Sequence, residues 1–450
     1  MFFLWFRPYL ILLTIKLSKE DIQRVSEDPF HLFLQGLRSP ATKTKYSRVL
    51  KLFVCVVLEE QLLGDPELRS KQLKQRLKKG NKKEIESFLD VDFEIRVKEF
   101  VDRTKQDPQW TMDILLTYSE KLKERTELSE TEPNYLNPQT FSNFFKPIKK
   151  LFDMNGVPFT WKRINATFPD LNNDNETRGY DREEIQHMLE FAGPLEKAII
   201  LISSSSGIRR GGFDFTWDCV HPVYKKNDNF VMGNFDDEDD SDLICGMITI
   251  YKKTSEQYMA MFSTEAWHAI KNYKIQWRKE TGQFPKPKHP FLKQSGIFVK
   301  KLSIDSGAQR ILNLLHRSGL RDNLVNGKRR HEIPVMNGFR RFFNKINKET
   351  LSDDSPLASL IKKELMMSHT GLIHLDKNYF KTHWQELVKE YLNAIPSLTI
   401  SAEERVKAEN KKLRKEKSEL EITRDELEKM KKDVRILKEF GKIIPKDSIN

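Results

Sequence analysis

Residues 203–220 read SSSSGIRRGGFDFTWDCV and follow directly on the apolar run AIILI, Ala198–Ile202. A segment so apolar belongs in a core, yet one turn later it sets Arg209 and Arg210 side by side. Burying an unpaired guanidinium is costly, so arginines placed there need a partner. A phosphate brought in by a ligand is such a partner. Guanidinium forks match phosphate oxygens bidentately and keep their charge at any working pH.

Working outward, DREEIQHMLEFA (Asp181–Ala192) has helical spacing, and DLICGMITIYKKTSEQYMAMFS (Asp242–Ser263) is strand-rich. Helices return after Thr264 and dominate to about Leu392. The acidic run DDEDDSD (Asp236–Asp242), between FVMG and LICGMITI, reads as a solvated hairpin tip, because the spacing and glycine of a calcium loop are missing. Towards the N-terminus, NATFPDLNNDNETRG (Asn165–Gly179) reads as a linker. Ahead of it the pattern predicts helices from Ser39 through Tyr46, Val49, Leu50 and Phe53, over Trp110–Arg125, and over Asn137–Asn155 with Pro138 at the entry. Between them KQLKQRLKKGNKK, residues 71–83, carries seven basic side chains and no acid. That run suits a phosphate backbone, and equally a solvated loop. Beyond Ser401, Val406, Leu413, Leu420, Leu427 and Val434 recur every seven residues, with Met430 and Leu437 three places after the last two. A coiled coil or a long lone helix follows, with the polar Glu409, Glu416 and Thr423 weakening the earlier end.

A chain of 450 residues is long enough for two or three domains. Lysine and arginine number 77 against 65 acidic residues, a net charge of +12, which makes an acidic polymer such as nucleic acid the first partner to consider. Cys55, Cys219 and Cys245 are widely spaced and form no CxxC or Cys/His pattern, so neither a disulfide framework nor a zinc site is expected, and a reducing cytoplasm fits. The opening MFFLWFRPYLILLTIK is split by Arg7 and Pro8 into apolar stretches well short of the ~20 residues a spanning helix needs. It reads as an N-terminal extension without stable membrane insertion, a peripheral membrane contact being the alternative.

Five reactive residue types then occur in order: Arg209 after Gly-Ile, Lys253 in IYKKTSEQYMAMFS, Arg340 in MNGFRRFF, His369 in ELMMSHTGL and Tyr379 in LDKNYF. That series resembles the tyrosine recombinase, or phage-type integrase, family. It is most similar to the archaeal branch, whose ending is like KNYFKTHWQELVKEYLNAIPSLTI here; the resemblance runs from about Phe30 to Ile400. It implies a mainly α fold with a small β-sheet (α+β). The divisions would be an N-terminal extension (1–24), a helical core-binding domain (25–168), a mixed α/β catalytic domain (178–400) and a coiled-coil tail (402–440). It further implies site-specific DNA recombination through a covalent 3′-phosphotyrosine, with no metal, ATP or other cofactor. Double-stranded DNA would be the partner, a homotetramer on two DNA sites the working form, and the nucleoid within the cytoplasm its place.

In that resemblance Arg209 and Arg340 stabilise the pentavalent phosphorus, Lys253 protonates the departing 5′ oxygen, and Tyr379 is the nucleophile. Asn337 stands three residues before Arg340, where most of the family has histidine. An amide can hydrogen-bond a phosphate but accepts no proton near neutral pH, so base duty passes to His369, to water or to no group. Gly212 likewise replaces the usual acidic residue three places after Arg209. Arg209 is preferred to Arg210 by the Gly-Ile step and Arg340 to Arg341 by spacing. Lys253 is preferred to Lys252 by strand-face parity. Tyr391, among Leu387, Val388 and Leu392, reads as packing. Lys43, Lys45, Lys74, Arg76, Lys78, Lys79, Arg210 and Arg341 are candidates for the DNA backbone. The rival readings are a type IB topoisomerase, which uses the same residue set, and a catalytically silent DNA-binding protein that keeps the fold.

Overall fold

The computed structural model describes residues 28–65, 92–170, 177–227, 229–322, 331–352, 355–369 and 383–443. These fall into two compact units, the first within residues 28–170 and the second beginning at Thr177.

The first unit is helical. Asp28 accepts the His31 N–H at the start of α1 (Pro29–Gln35), where proline fills a position that needs no donor. α2 (Pro40–Leu52) opens after Ser39 and continues into a single π-helical turn, Phe53–Val57. α3 (Phe93–Gln106) and α4 (Pro108–Glu124) follow, Asp107 capping α4 through Trp110 N–H. The single helix expected over Asn137–Asn155 is instead a 3-10 turn, Pro138–Phe144, and then α5 (Lys146–Met154). Pro147 explains the break, since it has no N–H with which to carry helical bonding back into the preceding turn. α6 (Lys162–Asn165) ends the unit's regular structure. Phe33, Phe53, Phe100, Phe141 and Phe152 are buried together, Phe100 meeting Phe53 edge-on at 5.5 Å and stacking on Phe152 at 5.5 Å. This unit also buries a guanidinium. Arg96 is fully enclosed, but its Nε meets the Asp92 carboxylate at 2.8 Å and its Nη1 donates to Val54 O at 3.1 Å.

The second unit starts with α7 (Arg182–Phe191), closed by a capping box in which Asp181 and Glu184 satisfy each other's backbone N–H. α8 (Pro194–Ser206) is buried almost throughout, because its sequence is apolar or small on every face. Three of its four serines return their hydroxyls to the helix, Ser204 and Ser205 to Leu201 O and Ser206 to Ile202 O. Four strands follow: β1 (Val220–Lys226), β2 (Asn229–Met232), β3 (Leu243–Ile250) and β4 (Tyr258–Phe262). They form an antiparallel sheet in the order β2-β1-β3-β4. Because β1 lies between β2 and β3, the acidic run 236–242 is no hairpin tip but a crossing connection. It is also engaged, Asp240 accepting from Trp267 Nε1 at 2.9 Å and from Lys271 at 2.7 Å.

The remaining elements are α9 (Thr264–Thr281), α10 (Ile304–Arg317), α11 (Val335–Glu349), α12 (Pro356–Met366), α13 (Trp384–Leu392), α14 (Ile395–Leu398) and α15 (Ala402–Ile443). Trp217, Trp267 and Trp277 are fully buried in the unit's core, Trp217 meeting Trp277 edge-to-face at 5.8 Å. α15 is a continuous helix of 42 residues, and its start is tied down by Glu265, whose carboxylate accepts the N–H groups of Ile400 and Ser401. Helix predominates and one small antiparallel sheet is present among the described residues, matching the α+β expectation. No described helix is long and apolar enough to cross a membrane.

Candidate active site

Arg340 occupies the middle of α11, between Phe339 and Phe342 on the helix face turned to the core, and is only 7% exposed. Its Nη1 donates to Gly207 O and its Nη2 to Met367 O at 2.7 Å. Those carbonyls close α8 and α12, so the guanidinium sits between the partly negative C-terminal ends of two helices. Among the described residues no carboxylate pairs with it, in contrast to the Arg96–Asp92 pair of the first unit. Burial, and then the nearby Arg209 charge, push its pKa down to about 10. The group therefore remains a cation at neutral pH. Its proton is held less tightly folded than unfolded, so the cost is present at every pH below that value and fades above it. At about 1.4 kcal/mol per pKa unit this amounts to a few kcal/mol.

Arg209 is placed by the turn that ends α8. Gly207 has φ +60°, and its N–H returns to Ser203 O. A side chain there would need the left-handed conformation and would put its Cβ 2.3 Å from Cδ1 of Phe343, so glycine is required. The turn sends Ile208 into the core and Arg209 outward, its Nη1 3.5 Å from both Met367 O and Ser368 O. At that length neither contact holds the guanidinium firmly.

His369 follows α12 through a Schellman turn. Ser368 has φ +52° and its N–H bonds Leu365 O, while His369 N–H bonds Glu364 O. The imidazole then bridges two groups: Nε2 lies 2.7 Å from Arg340 Nη2, and Nδ1 lies 2.5 Å from Glu364 Oε2. A guanidinium can only donate, so Nε2 accepts, and the ring is neutral with its proton on Nδ1 facing Glu364. Glu364 was not singled out from the sequence; its position five residues before His369 at a helix end is the signal that could have found it.

A cavity of about 640 Å³ opens beside this cluster, lined among others by Arg209, Arg210, Asp305, Gln309, Asn337 and Arg340. Asn337, in the first turn of α11, presents an exposed amide to it. Arg210 is ion-paired with Asp305 at 3.2 Å, and Arg341 is directed away to bond Thr177. Lys252 and Lys253 lie in the turn after β3, not on a strand, so parity does not choose between them. Their surroundings differ nonetheless. Lys252 Nζ meets Asp218 Oδ2 at 2.9 Å, and that hydrogen bond raises its pKa, whereas Lys253 has positive φ and its ammonium pairs with no carboxylate among the described residues.

Tyr258, at the start of β4, went unweighed in the sequence. Its Oη is buried close to the Arg340 guanidinium. Burial pushes it up to about 12, with the Arg340 and Arg209 charges pulling the other way. Tyr391 is fully enclosed and donates to Ser205 O at 2.7 Å. Lys43 and Lys45 lie on α2. Tyr379, the run 71–83 with Lys74, Arg76, Lys78 and Lys79, and the N-terminal extension lie outside the described residues. Among the described residues no three histidine, cysteine or acidic side chains gather as a metal site.

No family model matches the chain, and no curated protein does. Several solved structures are similar to it. A XerH site-specific recombinase on a palindromic difH substrate, in a post-cleavage complex, is 15% identical with a TM-score of 0.37, the match covering 82% of this chain and 97% of that one. The Tn1549 transposon integrase in complex with circular intermediate DNA is 14% identical at TM-score 0.35, over 77% and 99%. XerA recombinase is 12% identical at TM-score 0.30, over 72% and 96%. These three solved structures are two recombinases and an integrase.

Proposed function

We propose that the chain breaks and rejoins DNA strands through a phosphotyrosine, as a site-specific recombinase or integrase. The observation that carries this is Arg340, a buried guanidinium held by carbonyls and a neutral imidazole, without a carboxylate, next to a loosely held second arginine on one cavity. A phosphodiester matches that pair in charge and in fork geometry. In the reaction, Tyr379 Oη bonds to phosphorus and the bond to the 5′ oxygen breaks. Lys253 gives that oxygen a proton, and the tyrosine proton leaves to water or to His369. Because His369 Nε2 accepts from Arg340, it becomes a base only once a phosphate oxygen has taken its place on the guanidinium. The ester keeps the energy of the broken bond, so another 5′ hydroxyl can reseal it without ATP. In this reading the first unit contributes backbone contacts, Lys43 and Lys45 among them, four chains act on two DNA sites, and the protein works on cytoplasmic DNA.

A suicide substrate that loses its 5′ hydroxyl after cleavage tests the proposal. The unaltered chain should yield a denaturation-resistant protein–DNA adduct, and Tyr379→Phe should yield none while binding the same duplex within about threefold, since one phenol oxygen is a minor part of a phosphate-dominated interface. Absence of the adduct from the unaltered chain overturns it in favour of a silent DNA binder. Relaxation of supercoiled plasmid with no recombinant product points to topoisomerase chemistry instead.

The lysine assignment has its own test. Lys253→Ala should slow cleavage by roughly 10²–10⁴-fold, the usual worth of a positioned general acid, and a substrate whose leaving group needs no proton should recover most of the loss. Lys252→Ala should leave cleavage nearly unchanged. Equal losses from both variants would reject the assignment.

A further inference from the structure

We propose that the distal part of α15, from about Leu420 onward, pairs with the same segment of a second copy of this chain as a parallel, in-register two-stranded coiled coil. The inference stands apart from the proposed activity and rests on two features of the helix.

The first is an exposed apolar stripe. Val406, Leu413, Leu420, Leu427 and Val434, seven residues apart, are 47–70% exposed, and Met430, three places beyond Leu427, is 60% exposed. Single apolar residues on a surface are ordinary, but a row at coiled-coil spacing along one helix is a seam. The second is the charge on its flanks. Four places after the stripe residues stand Asn410, Lys417, Arg424 and Lys431, and one place before Leu427 and Val434 stand Glu426 and Asp433. In a parallel pair these two columns face each other, and Glu426 meets Lys431 of the partner subunit. In any antiparallel register each column faces its own copy, basic against basic and acidic against acidic. Self-complementarity in only one direction selects both the occupant and its orientation. Towards the start of the helix Glu409 takes a seam position, and Arg405 and Asn410 offer no attractive pair, so pairing fades there.

Cross-linking of the full chain without DNA reads both the pairing and its direction. Leu420→Cys and Val434→Cys, each alone, should form a disulfide-linked dimer on mild oxidation, the native cysteines being buried. Adding Leu427→Glu, at a position 47% exposed and so harmless to the fold, should cut that dimer at least about tenfold, because it sets two carboxylates together in the seam. Sedimentation should show a concentration-dependent dimer that the same substitution dissociates. Cross-links formed only between a Leu420→Cys chain and a Val434→Cys chain would mean antiparallel pairing and overturn the proposal. So would the absence of any cross-link, or an association that Leu427→Glu leaves intact.

Discussion

Arg340→Lys should lower the single-turnover rate of strand cleavage at least about 100-fold while changing duplex affinity less than about threefold, the loss being that of a donor array aimed at the reacting phosphate. The charge survives the substitution; the geometry does not. Arginine spans Gly207 O on one side and Met367 O and His369 Nε2 on the other with separate nitrogens of one rigid plane. A lysine ammonium on a flexible stem cannot hold those positions and still offer a fork to a phosphate. Freed from Arg340, His369 would keep its contact to Glu364 and lose its fixed orientation. A rate within threefold of the unaltered chain would remove Arg340 from the mechanism and with it the reading of the whole cluster.

Gly207→Ala should destabilise the second unit by about 2–4 kcal/mol, the sum of forcing a side chain into the left-handed region and of overpacking a core. The residue has φ +60° and its added methyl would collide with the Phe343 ring at 2.3 Å. Denaturant titration gives the stability change. Cleavage should fall as well, even under conditions where the variant is fully folded, because the displaced backbone carries both an acceptor for Arg340 and the direction in which Arg209 leaves the core. Full activity in the folded variant would show that the turn serves packing alone.

These effects trace how much could be read from the chain beforehand. The helix beginning at Asp181 was legible because its signal is local, a capping aspartate with glutamate three residues on. The strand β1 was not. Pro222 stands inside it and its residues show no clean alternation, so pairing with β3 along Val220–Tyr224 and with β2 along Val223–Lys226 makes it a strand. Order and type of the candidate site residues were visible; their junction was not. Arg340 is organised by carbonyls of Gly207 and Met367, and a backbone acceptor leaves no mark in the sequence. Parity had no strand to act on at Lys252 and Lys253, because β3 ends at Ile250 and Tyr251 and Lys253 both adopt positive φ.

Two crowded guanidinium groups also bear on the solutions in which such a protein is kept. Sulfate and inorganic phosphate carry several oxygens on one charged centre and fit a forked donor; chloride does not. Media of equal ionic strength but different anion are therefore not equivalent for a chain whose Arg340 has its pKa pushed down to about 10 by burial and the charge beside it. On the proposed reading, a buffer chosen for convenience would compete with the DNA phosphate for Arg209 and Arg340.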